Sequence, residues 1–348
     1  MKGERTLKVG IVGAGTVVRT LHAPLLKQFP DVSIEWVCDI RRDAARWVAD
    51  ACGIPTAHDD LARCGDVDAV LLAIPVGARA GAWQAAAERR WHVLCEKPAA
   101  RTVRELDSIL QRMHEVGRCV SFGYMRRFYQ GTLCLRRLIA ENVFGEAIEM
   151  WAGEGGPQTR TGRGDDWYQL DRNLSGGGIL IETGSHLLDQ LLFAADASGC
   201  VLEDYVQRTW QDDLEFDARV VGRVRAGARL DVPFSCVVTR SADVCNGLFV
   251  RYPQVTIALP PGPASRVELR DRRNRPIGSL DGADAGSTTS FAAFRDEWTA
   301  FLRQCGEPEP VRLLDEHRLT RLSVGLIEDC YARAACGGLA GQAERTLC

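Results

Sequence analysis

The chain has 348 residues, 46% of them apolar and 26% charged, and its 43 basic and 46 acidic side chains leave a net charge of −3. That length suits two packed domains, and the charge leaves no basic surplus to neutralise phosphates, which argues against nucleic acid or an anionic membrane as partner. The start, MKGERTLKVGIV, lacks a signal-peptide core and no apolar run is long enough to cross a bilayer, so a soluble cytoplasmic protein is expected.

The first third alternates strand and helix. LKVGIV, SIEWVCD, AVLLAI, WHVLCE and CVSFGY are short apolar runs, and amphipathic stretches such as RRDAARWVADACG and RTVRELDSILQRMHEVG separate them. In the second of these stretches Val103, Leu106, Ile109, Leu110 and Met113 make one stripe, and Gly117 closes the helix. This rhythm predicts βαβ units and a parallel sheet over residues 1–124.

From residue 125 the pattern changes. LCLRRLIAEN predicts a helix and EAIEMWAGE a strand, and a long polar segment, GGPQTRTGRGDDWYQLDRN, then leads to SGGGILIETGSH. Residues 200 to 270 are strand-rich, as in LEFDARVVGRV and ARLDVPFSCVVT. Two amphipathic helices follow, FAAFRDEWTAFLRQ and HRLTRLSVGLIEDCYARA. The expected fold class is α/β: a dinucleotide-binding domain over 1–124, and an α+β domain over 125–348 with an open, antiparallel or mixed sheet whose last helices pack back on the first domain.

The turn VGIVGAGTVV follows the first strand. Gly13 permits the tight turn, Gly15 lets a pyrophosphate approach backbone N–H groups, and Thr16 and Val17 begin the helix that faces it; Val18 stands where a third glycine or alanine is usual. Asp39 ends the second strand at the distance expected of the acid that bonds a ribose 2′-hydroxyl, which favours NAD. Arg41 and Arg42 stand beside it as phosphate-binding candidates and keep NADP open.

LCEKPAA puts Glu96 and Lys97 at the carboxyl end of the fifth strand, which faces the ligand crevice in an open α/β sheet. Glu182 and His186 are four residues apart, the spacing that stacks two side chains on one helical face. A histidine there can exchange a proton near neutrality, and a carboxylate beside it can fix its tautomer. Asp189, three residues further on, is an alternative carboxylate partner. No metal is expected, because Glu182 and His186 lack further ligands at workable spacing. The 13 cysteines form no CxxC pair and read as free, core-like thiols. His22, His58, His92, His114 and His317 read as surface or half-buried residues.

The order of these motifs resembles the glucose-fructose oxidoreductase and inositol dehydrogenase (Gfo/Idh/MocA) family: a glycine turn, an acidic strand end, the AIP segment, EKP, FGYMRRF, and GGG followed by E-x-x-x-H. The resemblance spans most of the chain. It implies an NAD(P)-dependent dehydrogenase or ketoreductase acting on a secondary alcohol of a sugar, cyclitol or nucleotide-linked sugar. It implies Lys97 and His186 as catalytic residues, supported by Glu182 where relatives carry aspartate. Ile74, Pro75 and Glu96 fall with the cofactor, and Tyr124, Arg127, Trp167 and Asp189 with the substrate. A homodimer or homotetramer through the second domain's sheet is also implied. The chain departs from the family at IPVGAR, where Val76 and Arg79 replace an asparagine and a histidine. That departure makes cofactor contacts near Pro75 an open question and keeps one alternative, a sensor of the same fold without turnover; a second alternative is a family-like hydrolase or lyase that retains its NAD.

Overall fold

The computed structural model describes residues 6–157, 164–210, 214–226, 231–263, 266–281, 288–306 and 317–337, and side chains of 164–166 fall outside this description. The chain divides into two compact units: Met1–Ala99 with Arg104–Gly123 and Phe294–Asp315, and Ala100–Val103 with Tyr124–Ala293 and Glu316–Cys348. Among the described residues no helix is long and apolar enough to cross a membrane.

The first unit is built on β1 (Leu7–Val12), β2 (Val32–Cys38), β3 (Thr56–His58), β4 (Ala69–Leu72), β5 (His92–Cys95) and β6 (Val120–Phe122), in the order β3-β2-β1-β4-β5-β6. Every pairing is parallel. This is the doubly wound arrangement whose strand order reverses between β1 and β4, where the crevice for a dinucleotide opens. Val9, Ile11, Val70, Leu71, Val93 and Leu94 are fully buried, which is why these strands read as continuous apolar runs. The short edge strand β3 carries no such run and escaped the sequence reading. Between strands lie α1 (Ala23–Leu26), α2 (Arg42–Cys52), α3 (Ala80–Glu88) and α4 (Val103–Glu115). Gly53, in the left-handed conformation, closes α2.

The second unit carries α5 (Gln130–Ala140), α6 (Arg172–Ser175), α7 (Ser185–Ala194), the start of α8 (Ser290–Gly306) and α9 (Arg318–Gly337). Its eight-stranded sheet runs β14-β13-β12-β11-β7-β10-β9-β8, using β7 (Glu149–Gly155), β8 (Ala197–Thr209), β9 (Glu215–Ala226), β10 (Asp231–Thr239), β11 (Gly247–Arg251), β12 (Thr256–Leu259), β13 (Arg266–Arg270) and β14 (Pro276–Asp281). β7 and β10 pair in parallel and the other neighbours are antiparallel, so the sheet is mixed. One face, with Met150, Ala152, Val220, Phe234, Cys236, Val238 and Leu248, meets Leu187, Leu188 and Leu191 of α7 and Leu326 and Ile327 of α9 in a single core.

Candidate active site

The glycine turn is stiff at one residue and open at the next. Gly13 has φ +106°, and a Cβ there would lie 2.3 Å from the Ala73 carbonyl oxygen, so only glycine fits. Nothing lies within 4 Å of a Cβ placed on Gly15. The backbone there is approachable, as a diphosphate requires. The helix that follows widens into a π-turn over Val18–His22, with Val18 fully buried at the place of the missing third glycine.

Asp39 closes the same turn. Its carboxylate accepts the N–H of Ala14 at 2.7 Å and that of Arg41 at 2.8 Å, and the Arg41 side chain lies 3.5 Å away. Arg41 is therefore partly neutralised by Asp39, while Arg42 lies 4.0 Å from Asp59. Ile40, between them, is 80% exposed, and no feature of the apolar patterning had marked it.

Lys97 follows β5 in a loop held from two sides. The Lys97–Pro98 bond is cis. Arg79, 3% exposed, donates to the carbonyls of Ile74 at 2.9 Å, Pro98 at 2.5 Å and Lys97 at 3.4 Å, and so ties the segment containing Ile74 and Pro75 to the lysine loop. Arg79, at the IPVGAR departure, is thus a structural strut. On the other side, Glu96 accepts the Lys97 N–H at 3.1 Å and pairs with His22 at 2.9 Å, and Trp298 of α8 donates to the other nitrogen of that ring at 2.9 Å. Burial pushes the Glu96 carboxyl up, but His22, Lys97 and Arg79 outweigh it and hold the group below its ordinary value. His22 is fully buried, which corrects its reading as a surface or half-buried histidine. Its partner Trp298 is 276 positions away and left no local signal.

In the second unit SGGGILIETGSH shapes a helix start. Gly176, at φ +83°, caps α6. A Cβ on Gly177 would lie 2.1 Å from the Tyr331 hydroxyl, and one on Gly178 would lie 2.0 Å from the Glu215 carbonyl oxygen. The Glu215 carboxylate, fully buried, accepts the N–H of Gly178 at 2.8 and 2.9 Å, the N–H of Leu180 at 3.0 Å and the Tyr331 hydroxyl at 2.8 Å. A buried anion thus satisfies the first N–H groups of the helix and meets its positive end. Gly177 and Gly178 let the backbone close on Tyr331 and Glu215, a reason internal to the fold.

The helix then runs as a π-turn over Leu180–Gly184 into α7. Glu182, near the helix start, binds the guanidinium of Arg240, which is 5% exposed and follows β10. Burial pulls the Arg240 pKa down to about 10, so it remains a cation at neutral pH. Glu182 is therefore anchored by a charge from the sheet. His186 is half-buried and packs edge-on against Tyr124, with ring centroids 6.5 Å apart.

Arg127 lies over the Tyr124 ring at 5.0 Å and is gripped by both oxygens of Asp189, at 2.9 and 2.5 Å, and by Thr320 at 3.0 Å. Asp189 is 1% exposed, and burial raises its pKa against the pull of Arg127. Its carboxylate serves this ion pair, which corrects both the reading of Asp189 as a partner of His186 and its place among substrate-lining residues. Trp167 is 41% exposed on a short 3-10 turn, and the segment 158–163 before it lies outside the described residues.

Residues 7–124 match the family model described as an oxidoreductase family with an NAD-binding Rossmann fold. The chain is 28% identical over 190 residues to a D-glucoside 3-dehydrogenase of Escherichia coli, covering 54% of this chain and 53% of that protein. It is 32% identical over 148 residues to an inositol 2-dehydrogenase/D-chiro-inositol 3-dehydrogenase of Shouchella clausii, covering 41% and 43%. It thus spans about half the length, or less, of these curated relatives. Among solved structures, a 3-ketoreductase from Actinomadura kijaniata in complex with TDP-benzene and NADP superposes with a TM-score of 0.79 at 18% identity, over 94% of this chain and 98% of that one. An aldose-aldose oxidoreductase from Caulobacter crescentus superposes at 0.76 with 21% identity, over 96% and 98%. The matched segment, its strand order and the motifs it carries agree: residues 7–124 form an NAD-binding Rossmann unit of the Gfo/Idh/MocA oxidoreductase type.

Proposed function

We propose that the protein is a nicotinamide-dependent oxidoreductase that interconverts a secondary alcohol and a ketone on a sugar, cyclitol or nucleotide-linked sugar. The observation that carries this reading is the lysine loop: Lys97 stands at the carboxyl end of β5, in the sheet that bears the glycine turn, and is braced by Arg79 and by Glu96. The relatives named for glucoside and inositol dehydrogenation support the substrate class.

The residues present fit a dinucleotide. Gly13 to Val17 would hold the diphosphate, Asp39 the adenosine ribose, and the exposed Ile40 offers an apolar surface for the adenine. The carboxylate of Asp39 repels a 2′-phosphate and occupies Arg41, so NAD is the preferred form. Nicotinamide, when bound, supplies or accepts the hydride. His186 takes the proton from the alcohol oxygen or returns it, and Glu182 with Arg240 sets the electrostatics of its helix. Lys97 stabilises developing negative charge on that oxygen, and Ile74, Pro75 and Glu96 shape the loops beside it. Tyr124 and Trp167 line the substrate, with Arg127 fixing the Tyr124 ring. Assembly through the second unit's sheet belongs to the same proposal.

Purified protein with NAD or NADP and a panel of sugars, cyclitols and nucleotide sugars should change absorbance at the reduced-nicotinamide band. Lys97→Met and His186→Ala should each lower kcat roughly 10²- to 10⁴-fold while nucleotide binding persists. Full activity in both variants would refute the site. Turnover without net absorbance change would point to a hydrolase or lyase, and nucleotide binding without turnover to a sensor.

A further inference from the structure

A second reactive centre lies in the first unit, apart from the lysine loop and at the opposite, amino-terminal end of β5. His92 begins β5, and Val93 donates to the Cys119 carbonyl at 3.0 Å, so strand pairing sets His92 against Cys119. The Cys119 sulfur is 3.0 Å from Nδ1 of His92, and the Cys119 N–H donates to that same nitrogen at 3.1 Å. Nδ1 is therefore the acceptor nitrogen of the ring, placed to take the thiol proton. The sulfur of Cys305, near the end of α8, lies 3.7 Å from that of Cys119. Gln304, next to it, accepts from Ser121 of β6 at 2.9 Å, which holds the end of α8 against the strand. Cys119 is buried and Cys305 half-buried, so the pair opens toward Cys305. Both residues were read as ordinary core-like thiols, and His92 as a histidine without company. Their partners come from three separate elements, which spacing along the chain does not reveal.

We propose that Cys119 and Cys305 form a peroxide-sensitive thiol pair, with Cys119 the attacking thiol, His92 its base and Cys305 the resolving thiol. Three groups in contact give each role a stated atom. The Cys119 thiol is held below its ordinary value by hydrogen bonding from Cys305 and then by His92, while Cys305 is pushed up. A thiol that gives up its proton more readily, beside a base and a thiol that keeps its own, is the arrangement that oxidises in sequence.

In the first step the Cys119 thiolate attacks one oxygen of hydrogen peroxide. An S–O bond forms, the O–O bond breaks, and the sulfur gives two electrons to the departing hydroxide, which takes a proton and leaves as water. In the second step Cys305 gives its proton to the sulfenic oxygen and its sulfur attacks Cys119. The S–S bond forms, the S–O bond breaks, and a second water leaves. Two thiols and one peroxide thus yield one disulfide and two waters. The sulfurs must close by about 1.7 Å to reach bonding distance, a movement shared between two side chains.

A second thiol pair, Cys38 and Cys64, likewise lowers one thiol, Cys38, through the hydrogen bond from Cys64, but burial and the charges of Asp39, Asp60 and Asp59 oppose that shift. It serves as an internal comparison. The folded protein is treated with hydrogen peroxide at pH 7, its remaining thiols are blocked, and it is digested without reduction for mass spectrometry. The expected result is a Cys119–Cys305 linked peptide, reversed by dithiothreitol. In Cys305→Ser the link is absent and a 1,3-dione reagent labels Cys119 as the sulfenic acid. In His92→Gln the labelling of Cys119 slows by about tenfold. Absence of the linked peptide, a Cys38–Cys64 link in its place, or unchanged labelling in His92→Gln would overturn the proposal. So would one tightly held zinc ion per chain that blocks these thiols until a chelator is added. None of these readouts depends on dehydrogenase turnover, so this proposal and the proposed function fail separately.

Discussion

At Arg79 a single residue settles what a motif departure means. Its guanidinium donates to the carbonyls of Ile74, Lys97 and Pro98, and it is almost wholly buried. Removing it leaves these part-buried carbonyls without that donor, at a cost of roughly 1 to 3 kcal/mol for each one left unpaired. Arg79→Leu should therefore lower unfolding free energy by about 3 kcal/mol, read from the urea midpoint at constant slope. It should also release the lysine loop, and a misplacement on the order of 1 Å there costs about a hundredfold in kcat. Arg79→Lys should recover only part of both losses, because an ammonium lacks the fork that spans three acceptors. Equal stability and turnover in Arg79→Leu would show that the strut has no role. Glu182 makes a related point: it is one methylene longer than the aspartate of the family resemblance, and its carboxylate is taken by Arg240.

Among the elements, the two glycine-rich segments look alike in sequence and do different work. In the turn after β1, Gly13 is required by conformation and contact, whereas Gly15 faces open space. Gly13→Ala should cost about 3 kcal/mol of stability through its left-handed φ and the close Ala73 carbonyl. Gly15→Ala should leave stability within about 0.5 kcal/mol, yet weaken nucleotide binding about tenfold by standing where a diphosphate would lie. Thermal unfolding and a nucleotide titration separate the two, and a destabilised Gly15→Ala with normal binding would contradict this division. The segment at 176–178 is the opposite case, since Tyr331 and Glu215 stand where side chains on Gly177 and Gly178 would lie. Sequence patterning marked both runs as special. It did not show which one turns its backbone outward, because Glu215 lies 37 positions from Gly178 and is carried there by β9.

Across the whole molecule, the chain contributes to each unit from distant stretches. Phe294–Asp315 belongs to the first unit, where Trp298 and Phe301 are fully buried and Trp298 holds His22. In the second unit, the sheet face opposite the core carries Trp151, Val221, Val237 and Phe249, all half-exposed. These half-exposed apolar side chains, interleaved with Arg219, Arg223 and Ser235, fit the proposed assembly through this sheet. Light scattering should give a dimer or tetramer for the protein, and Val237→Lys should shift it to monomer with its circular dichroism unchanged. A monomeric wild-type protein would end that proposal.

Periodicity, turn residues and strand-end chemistry are local properties. The sequence alone therefore determined the βαβ rhythm, the glycine turn, Asp39, the lysine loop and the strand-rich second half. The tertiary structure alone decided how buried polar groups are paired: Arg127 with Asp189, Glu182 with Arg240, Glu96 with His22 and Trp298, and Cys119 with His92 and Cys305. The separations within these groups run from 27 to 276 positions. A buried charge or thiol takes its partner from whichever element the packing brings within about 3 to 4 Å, and no spacing along the chain encodes that choice.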